Sequence, residues 1–214
     1  MSAPPCQPAA SCRRAKKFGR WLIIAAGCLV AVAVLFRLVY RPWQVNWGAT
    51  GEEIKRAMAG DGIVANPTFN ATRAVTINAP AERIWPWIVQ MGYRRAGFYS
   101  WDILDNDGIP SSERIIPEYQ TVKVGDLVPL SRNANVRVAA MEANSQLLLV
   151  SQSAPDWTWA WGLYPIDAHR TRLVSRLRVR LPKLTSRWFI DAFEIVMMRK
   201  CLLGIKRRAE SRHD

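Results

Sequence analysis

The sequence predicts an α+β protein in which an antiparallel sheet and a long closing helix share one core, behind an apolar helix of membrane-spanning length. Three observations predict it. Residues 71–106 open with period-two alternation and change within a few residues to helical spacing. Residues 122–181 hold a series of short alternating segments separated by turn residues. Residues 188–208 then carry apolar side chains on nearly every side of a helix.

The chain has 214 residues and a formal net charge of +13. Residues 1–41 contribute seven basic side chains and no acid, whereas residues 42–214 contribute 23 basic and 17 acidic ones. Half of the excess charge therefore belongs to the leading segment, which favours membrane targeting over nucleic-acid binding. Residues 1–20 are expected to form a disordered basic tail, Pro/Ala-rich at first and then basic at Arg13, Arg14, Lys16, Lys17 and Arg20. Residues 21–40 follow as an apolar run broken only by Arg37. As a helix that run spans roughly 30 Å, the thickness of a hydrocarbon core. Trp21 and Tyr40 suit the two interfaces, and the basic cluster predicts a cytoplasmic amino terminus with the main domain on the far side. The rival readings are a cleaved signal peptide, a lipoprotein signal at Cys28, and a buried core helix. The run is long for a signal peptide, and the match around Cys28 is partial.

Arg41-Pro42 is expected to end this helix. Residues 41–69 form a linker, in which Thr50 caps a short helix and Glu53 completes a capping box. That helix either covers a cavity mouth or packs on the sheet as an ordinary linker. The main domain occupies residues 70–214. In its first strand Thr72, Ala74, Thr76 and Asn78 share one face, and Arg73, Val75 and Ile77 the other. Pro80 starts a helix with Ile84, Trp87, Ile88 and Met91 on its apolar side. A glycine-aromatic turn and a second short helix, 102–106, come next. Residues 109–119 read as a long irregular loop, a candidate mobile gate.

Strands are expected at 122–126, at 127–130, and as a pair at 136–141 and 146–152. Trp157, Trp159 and Trp161 alternate with Thr158, Ala160 and Gly162, with Gly162, Tyr164 and Pro165 closing that strand. The last strand puts Arg170, Arg172, Arg176, Arg178 and Arg180 on one face and Thr171, Leu173, Ser175, Leu177, Val179 and Leu181 on the other. Its arginines either meet anionic headgroups or pair with a neighbouring acidic face. The stripe lacks the aromatic ladder of a nucleic-acid platform.

The order of strand, A-P-A-E-R-I-W-P-W-I-V-Q-M-G and G-F-Y-S-W-D-I-L-D-N, with the later T-R-L-V-S-R-L-R-V and M-R-K-C-L-L-G-I-K-R-R-A-E, resembles the SRPBCC or START-like superfamily, in its polyketide cyclase/dehydrase-like branch. The resemblance covers residues 47–208. It implies a helix-grip fold: a curved antiparallel sheet wrapped on the C-terminal helix, with a cavity between them. Relatives bind lipids, sterols, quinones or polyketides, and a minority are enzymes. The expected partner is therefore a hydrophobic small molecule or lipid at a membrane, with no cofactor, no metal and no nucleic acid.

Candidate ligand-binding residues are Trp85, Trp87, Phe98, Tyr99, Trp101, Trp157, Trp159 and Trp161. The three alternating tryptophans form a cavity wall, or core packing, or stacks against the arginines of the next strand. Catalysis, if present, would use Asp102 or Asp105 with Tyr99; structural roles are expected for these acids instead. The remaining class is a scaffold whose own side chains fill the cavity. His169 lies in a turn and His213 at the end, and neither belongs to a catalytic or zinc motif.

Overall fold

The computed structural model describes residues 9–152, 156–180 and 184–211. Residues up to Trp43 form one compact unit and residues from Gln44 onward a second.

The first unit is helix α1 (Ala9–Leu35), a π-helical turn (Phe36–Tyr40) and the start of α2 (Arg41–Val45). The helix takes in the basic cluster, consistent with the high helix propensity of Ala, Arg and Lys, while residues 1–8 of the expected disordered tail lie outside the described residues. Nor does it stop at Arg41-Pro42. Pro42 has no N–H to donate, and the ladder widens one turn earlier, where the Arg41 N–H bonds the Phe36 carbonyl. The proline then occupies the first turn of α2. Trp21, Ile23, Leu29 and Leu38 are each about 70 % exposed, an apolar surface without a core behind it.

The second unit begins with the end of α2 and the short helix α3 (Gly51–Lys55), whose capping box between Thr50 and Glu53 is present as expected. Six strands follow: β1 (Phe69–Ile77), β2 (Leu127–Ser131), β3 (Ala134–Glu142), β4 (Gln146–Ser151), β5 (Trp157–Asp167) and β6 (Arg170–Val179). They form one antiparallel sheet in the order β1-β6-β5-β4-β3-β2. Between β1 and β2 the chain makes α4 (Ala81–Val89), α5 (Asp102–Asp105) and a 3₁₀ turn (Pro117–Tyr119). The long helix α6 (Leu184–Glu210) closes the fold against β1 and α4. Six antiparallel strands closed by a C-terminal helix constitute the helix-grip architecture.

Two strand expectations change. Residues 122–126 form a turn, with Gly125 at φ +98° and the Lys123 N–H held by the Asp126 carboxylate. Only the end of the segment reaches the sheet, where the Gly125 N–H donates to the Val138 carbonyl and the Val138 N–H to the Asp126 carbonyl. Strand β5 continues past Gly162 to Asp167, with Pro165 inside it at a register shift. Strand β4 reaches only as far as Gly162, so Pro165 lies on a locally unpaired edge, where its missing donor costs nothing.

The sheet's inner face meets α4 and α6 in a core that includes Ile77, Ile84, Trp87, Trp161, Leu173, Leu202 and Ile205. Its outer face carries the arginine stripe, and the segment around α3 covers it. Arg172 forms a bidentate pair with Glu53. Arg176, 3 % exposed, donates to Thr72, Asp61 and the carbonyls of Glu53, Ile54 and Arg56. Arg178 donates to the Val64 carbonyl. These three guanidiniums hold the chain's own acids and carbonyls, which removes the expectation that they face headgroups.

Candidate functional site

A cleft of about 450 Å³ opens between the inner face of β5 and β6 and one side of α6. Alternation on the strands puts Trp157, Trp159, Leu177 and Val179 into its wall, and α6 supplies Ile190, Met197 and Met198. Phe98, from the turn after α4, and Leu130, from β2, complete the apolar lining. The Phe98 and Trp159 rings lie 6.4 Å apart, and Trp159 lies 4.9 Å from Trp161. The Trp159 indole N–H donates to Ser175 Oγ at 2.9 Å, so the ring is fixed by its polar edge with its faces left for contact.

Close packing of the 98–100 turn on α6 depends on Gly204. A β-carbon there would stand 2.4 Å from the Tyr99 carbonyl oxygen. Tyr99 itself has a positive φ of 58°. Its hydroxyl donates to the Trp87 carbonyl and accepts from Gln90 Nε2. Burial pushes its phenol well above the ordinary range.

Four polar residues touch the cleft: Ser100, Asp105, Glu194 and Cys201. The Ser100 hydroxyl donates to the Met197 carbonyl at 2.9 Å. Asp105 has both carboxylate oxygens out of solvent and without a hydrogen-bond partner among the described residues. Burial, helped by the nearby Asp102, pushes its pKa up to about 6. Glu194 forms an ion pair with Arg73, which is 1 % exposed and comes from the inner face of β1. Arg73 also donates from Nε to the Gln44 carbonyl at 2.7 Å and from Nη2 to Gln44 Oε1 at 2.9 Å. Burial outweighs the attraction of Arg73 and raises the Glu194 pKa. Burial likewise pushes the Cys201 thiol up, away from its nucleophilic form.

Of the residues selected from sequence, Phe98, Trp157, Trp159 and Asp105 line the cleft. Trp85 and Trp87 are buried in the core around α4, and Trp161 is 1 % exposed beneath Trp159. Trp101 points outward, 46 % exposed, with Lys200 Nζ 3.7 Å from its ring centre. Asp102 accepts from the Ser111 hydroxyl at 2.5 Å, a structural contact that holds the following loop. That loop, expected as a gate, supplies no cleft residue. Its backbone is tied instead to the fully buried Gln90, through Arg114 and Ile116, and to Arg208, through Ser112.

Sequence reasoning missed Arg73 and Glu194. Arg73 shares a strand face with Val75 and Ile77, and Glu194 interrupts an almost wholly apolar helix. A charge within each apolar pattern was the available signal. Among the described residues no group of His, Cys, Asp and Glu side chains is arranged to hold a metal ion.

No protein-family profile matches the chain, and no curated protein does. Similar solved structures include a protein from Nitrosospira multiformis, 12 % identical, with a TM-score of 0.46 over 67 % of this chain and 97 % of that one. The Aha1 dimer from Colwellia psychrerythraea is 14 % identical, with a TM-score of 0.46 over 69 % of this chain and all of that one. A Polyketide_cyc-like protein from Corynebacterium glutamicum is 17 % identical, with a TM-score of 0.36 over 64 % and 89 %.

Proposed function

We propose that the protein is a membrane-anchored binding protein that encloses a hydrophobic small molecule or lipid in the helix-grip cleft. The cleft itself carries the proposal: about 450 Å³, walled by Phe98, Trp157, Trp159, Leu177 and the α6 methionines. That volume and that predominantly apolar lining, with a few polar groups, suit a small apolar ligand. Binding would come from apolar area leaving water, at about 25 cal/mol per Å². The tether is helix 19–45, 27 residues long and apolar enough to cross a membrane. The basic residues ahead of it favour a cytoplasmic amino terminus with the domain outside.

Binding is favoured over catalysis because Asp105 is the one candidate acid in the cleft lining without a committed partner among the described residues, and no candidate nucleophile stands free beside it. Tyr99 and Ser100 hold carbonyls, and Cys201 is a buried neutral thiol. Native mass spectrometry of the detergent-purified full chain tests the proposal. A copurified apolar molecule in stoichiometric amount is expected. Protein that stays empty when presented with lipid extracts would reject it.

A further inference from the structure

An exposed apolar patch lies on the segments that border the cleft. On and beside α5, Ile103 is 84 % exposed and Leu104 71 %, next to the outward-facing Trp101. On α6, Phe193 and Val196 are about half exposed. Phe193, Val196 and Lys200 stand at i, i+3 and i+7, which is one face of a helix. The contact of Lys200 with Trp101, and of Ser100 with the Met197 carbonyl, brings the α5 flank against that part of α6. The same segments border the cleft. Ser100 and Asp105 bracket the exposed residues of α5, while Ile190, Glu194 and Met197 interleave with Phe193 and Val196.

We infer that this patch docks on a bilayer surface and that the cleft exchanges its apolar occupant with the membrane there. The inference rests on the lipid-cleft reading and its tether. Chain continuity argues for a bilayer as the occupant: Gln44, the first residue of the domain, is wholly buried and bound to Arg73, and in the sequence it follows the apolar run after only a few residues. Charge argues for it too. Arg199, over the Trp47 ring, and Lys200, over the Trp101 ring, put two positive charges beside the patch that complement anionic headgroups, opposed on the α5 flank by Asp102 and Asp105. Trp, Ile and Leu beside Lys is the composition of a surface that sits at the headgroup boundary.

The test uses the full chain in vesicles of phosphatidylcholine and phosphatidylglycerol, with Cys6, Cys12 and Cys28 replaced by serine. An environment-sensitive dye is attached through Ile103→Cys or, as a control on the exposed side of β3, through Arg137→Cys. The dye at 103 is expected to shift to the blue and to be quenched by nitroxide lipids, while the dye at 137 is quenched by iodide. Equal iodide quenching at both positions overturns the inference. Protection at 103 that persists in detergent and grows with protein concentration also overturns it, in favour of a second copy of the chain. The paired substitution Ile103→Asp and Leu104→Asp is expected to slow transfer of a fluorescent apolar probe from vesicles by about tenfold or more, with final occupancy unchanged. An unchanged transfer rate overturns the inference. If no probe enters even the unaltered chain, the lipid-cleft reading fails, and the exchange inference fails with it.

Discussion

At the scale of single residues, the cleft's behaviour turns on charges placed where water does not reach. Asp105 titrates at about 6 in the fold, against an ordinary value of 3.8. A carboxyl whose pKa is raised by folding contributes stability that is complete below the unfolded value and is lost as pH rises through the folded one. Stability should therefore decline as pH rises from about 4 through about 6. Asp102 on the same helix opposes ionisation, Lys200 on α6 favours it, and the Cys201 thiol faces the group without charge. Asp105→Asn should flatten that segment of the profile and raise the melting temperature above pH 7. Melts at successive pH values check both, and an unaltered profile would show that the carboxylate is solvated. The Arg73–Glu194 pair makes a second residue-scale prediction. Removing Arg73 alone leaves a buried carboxylate without its counter-ion, so Arg73→Ala should cost about 3–5 kcal/mol. Replacing both partners with Met should cost much less, and a double-mutant cycle by chemical denaturation measures the difference.

At the scale of elements, Arg176 shows how one side chain fastens a whole segment. Its donors reach the ends of α3 and the acid that follows, while its stem belongs to β6. Arg176→Ala would orphan several carbonyls at once, and the segment at 48–64 should lose protection in hydrogen exchange before the sheet does. Arg176→Lys should not restore it, because an ammonium lacks the planar fork that bridges Thr72, Asp61 and the carbonyls. This element also marks where sequence reading stopped. Alternation on β6 identified the arginine face, since strand periodicity is local. What covers that face is Glu53, 119 positions earlier, and no local pattern reports such a distance. The same limit separates Trp159 from Trp87. Both stood out as large aromatics on an apolar face, yet only the three-dimensional closure of α6 leaves a void beside one and fills the space beside the other. The capping box at Thr50 was fully legible because both of its bonds lie within four residues.

At the scale of the whole molecule, the sheet and α6 meet tightly at one end and part at the other. Leu202, Ile205 and Ala209 are buried at 0–1 % exposure, whereas Ile190, Glu194 and Met197 toward the other end border the cleft. The Arg73–Glu194 pair lies at this transition, between β1 and α6. A cleft held open in this way should be separable from the stability of the fold, because Leu202, Ile205 and Ala209 join the core without lining the cleft. Leu177→Trp projects new aromatic bulk from β6 into the void without touching Leu202 or Ile205. If the proposed binding holds, it should abolish copurification of an apolar molecule while leaving the unliganded chain folded. Ligand added at 100 times its dissociation constant should stabilise the unaltered protein by about 2.7 kcal/mol and leave the Leu177→Trp protein unmoved. Parallel thermal melts of the two proteins, with and without an apolar probe, decide the matter. An equal rise in both would place the bound molecule somewhere other than between β6 and α6.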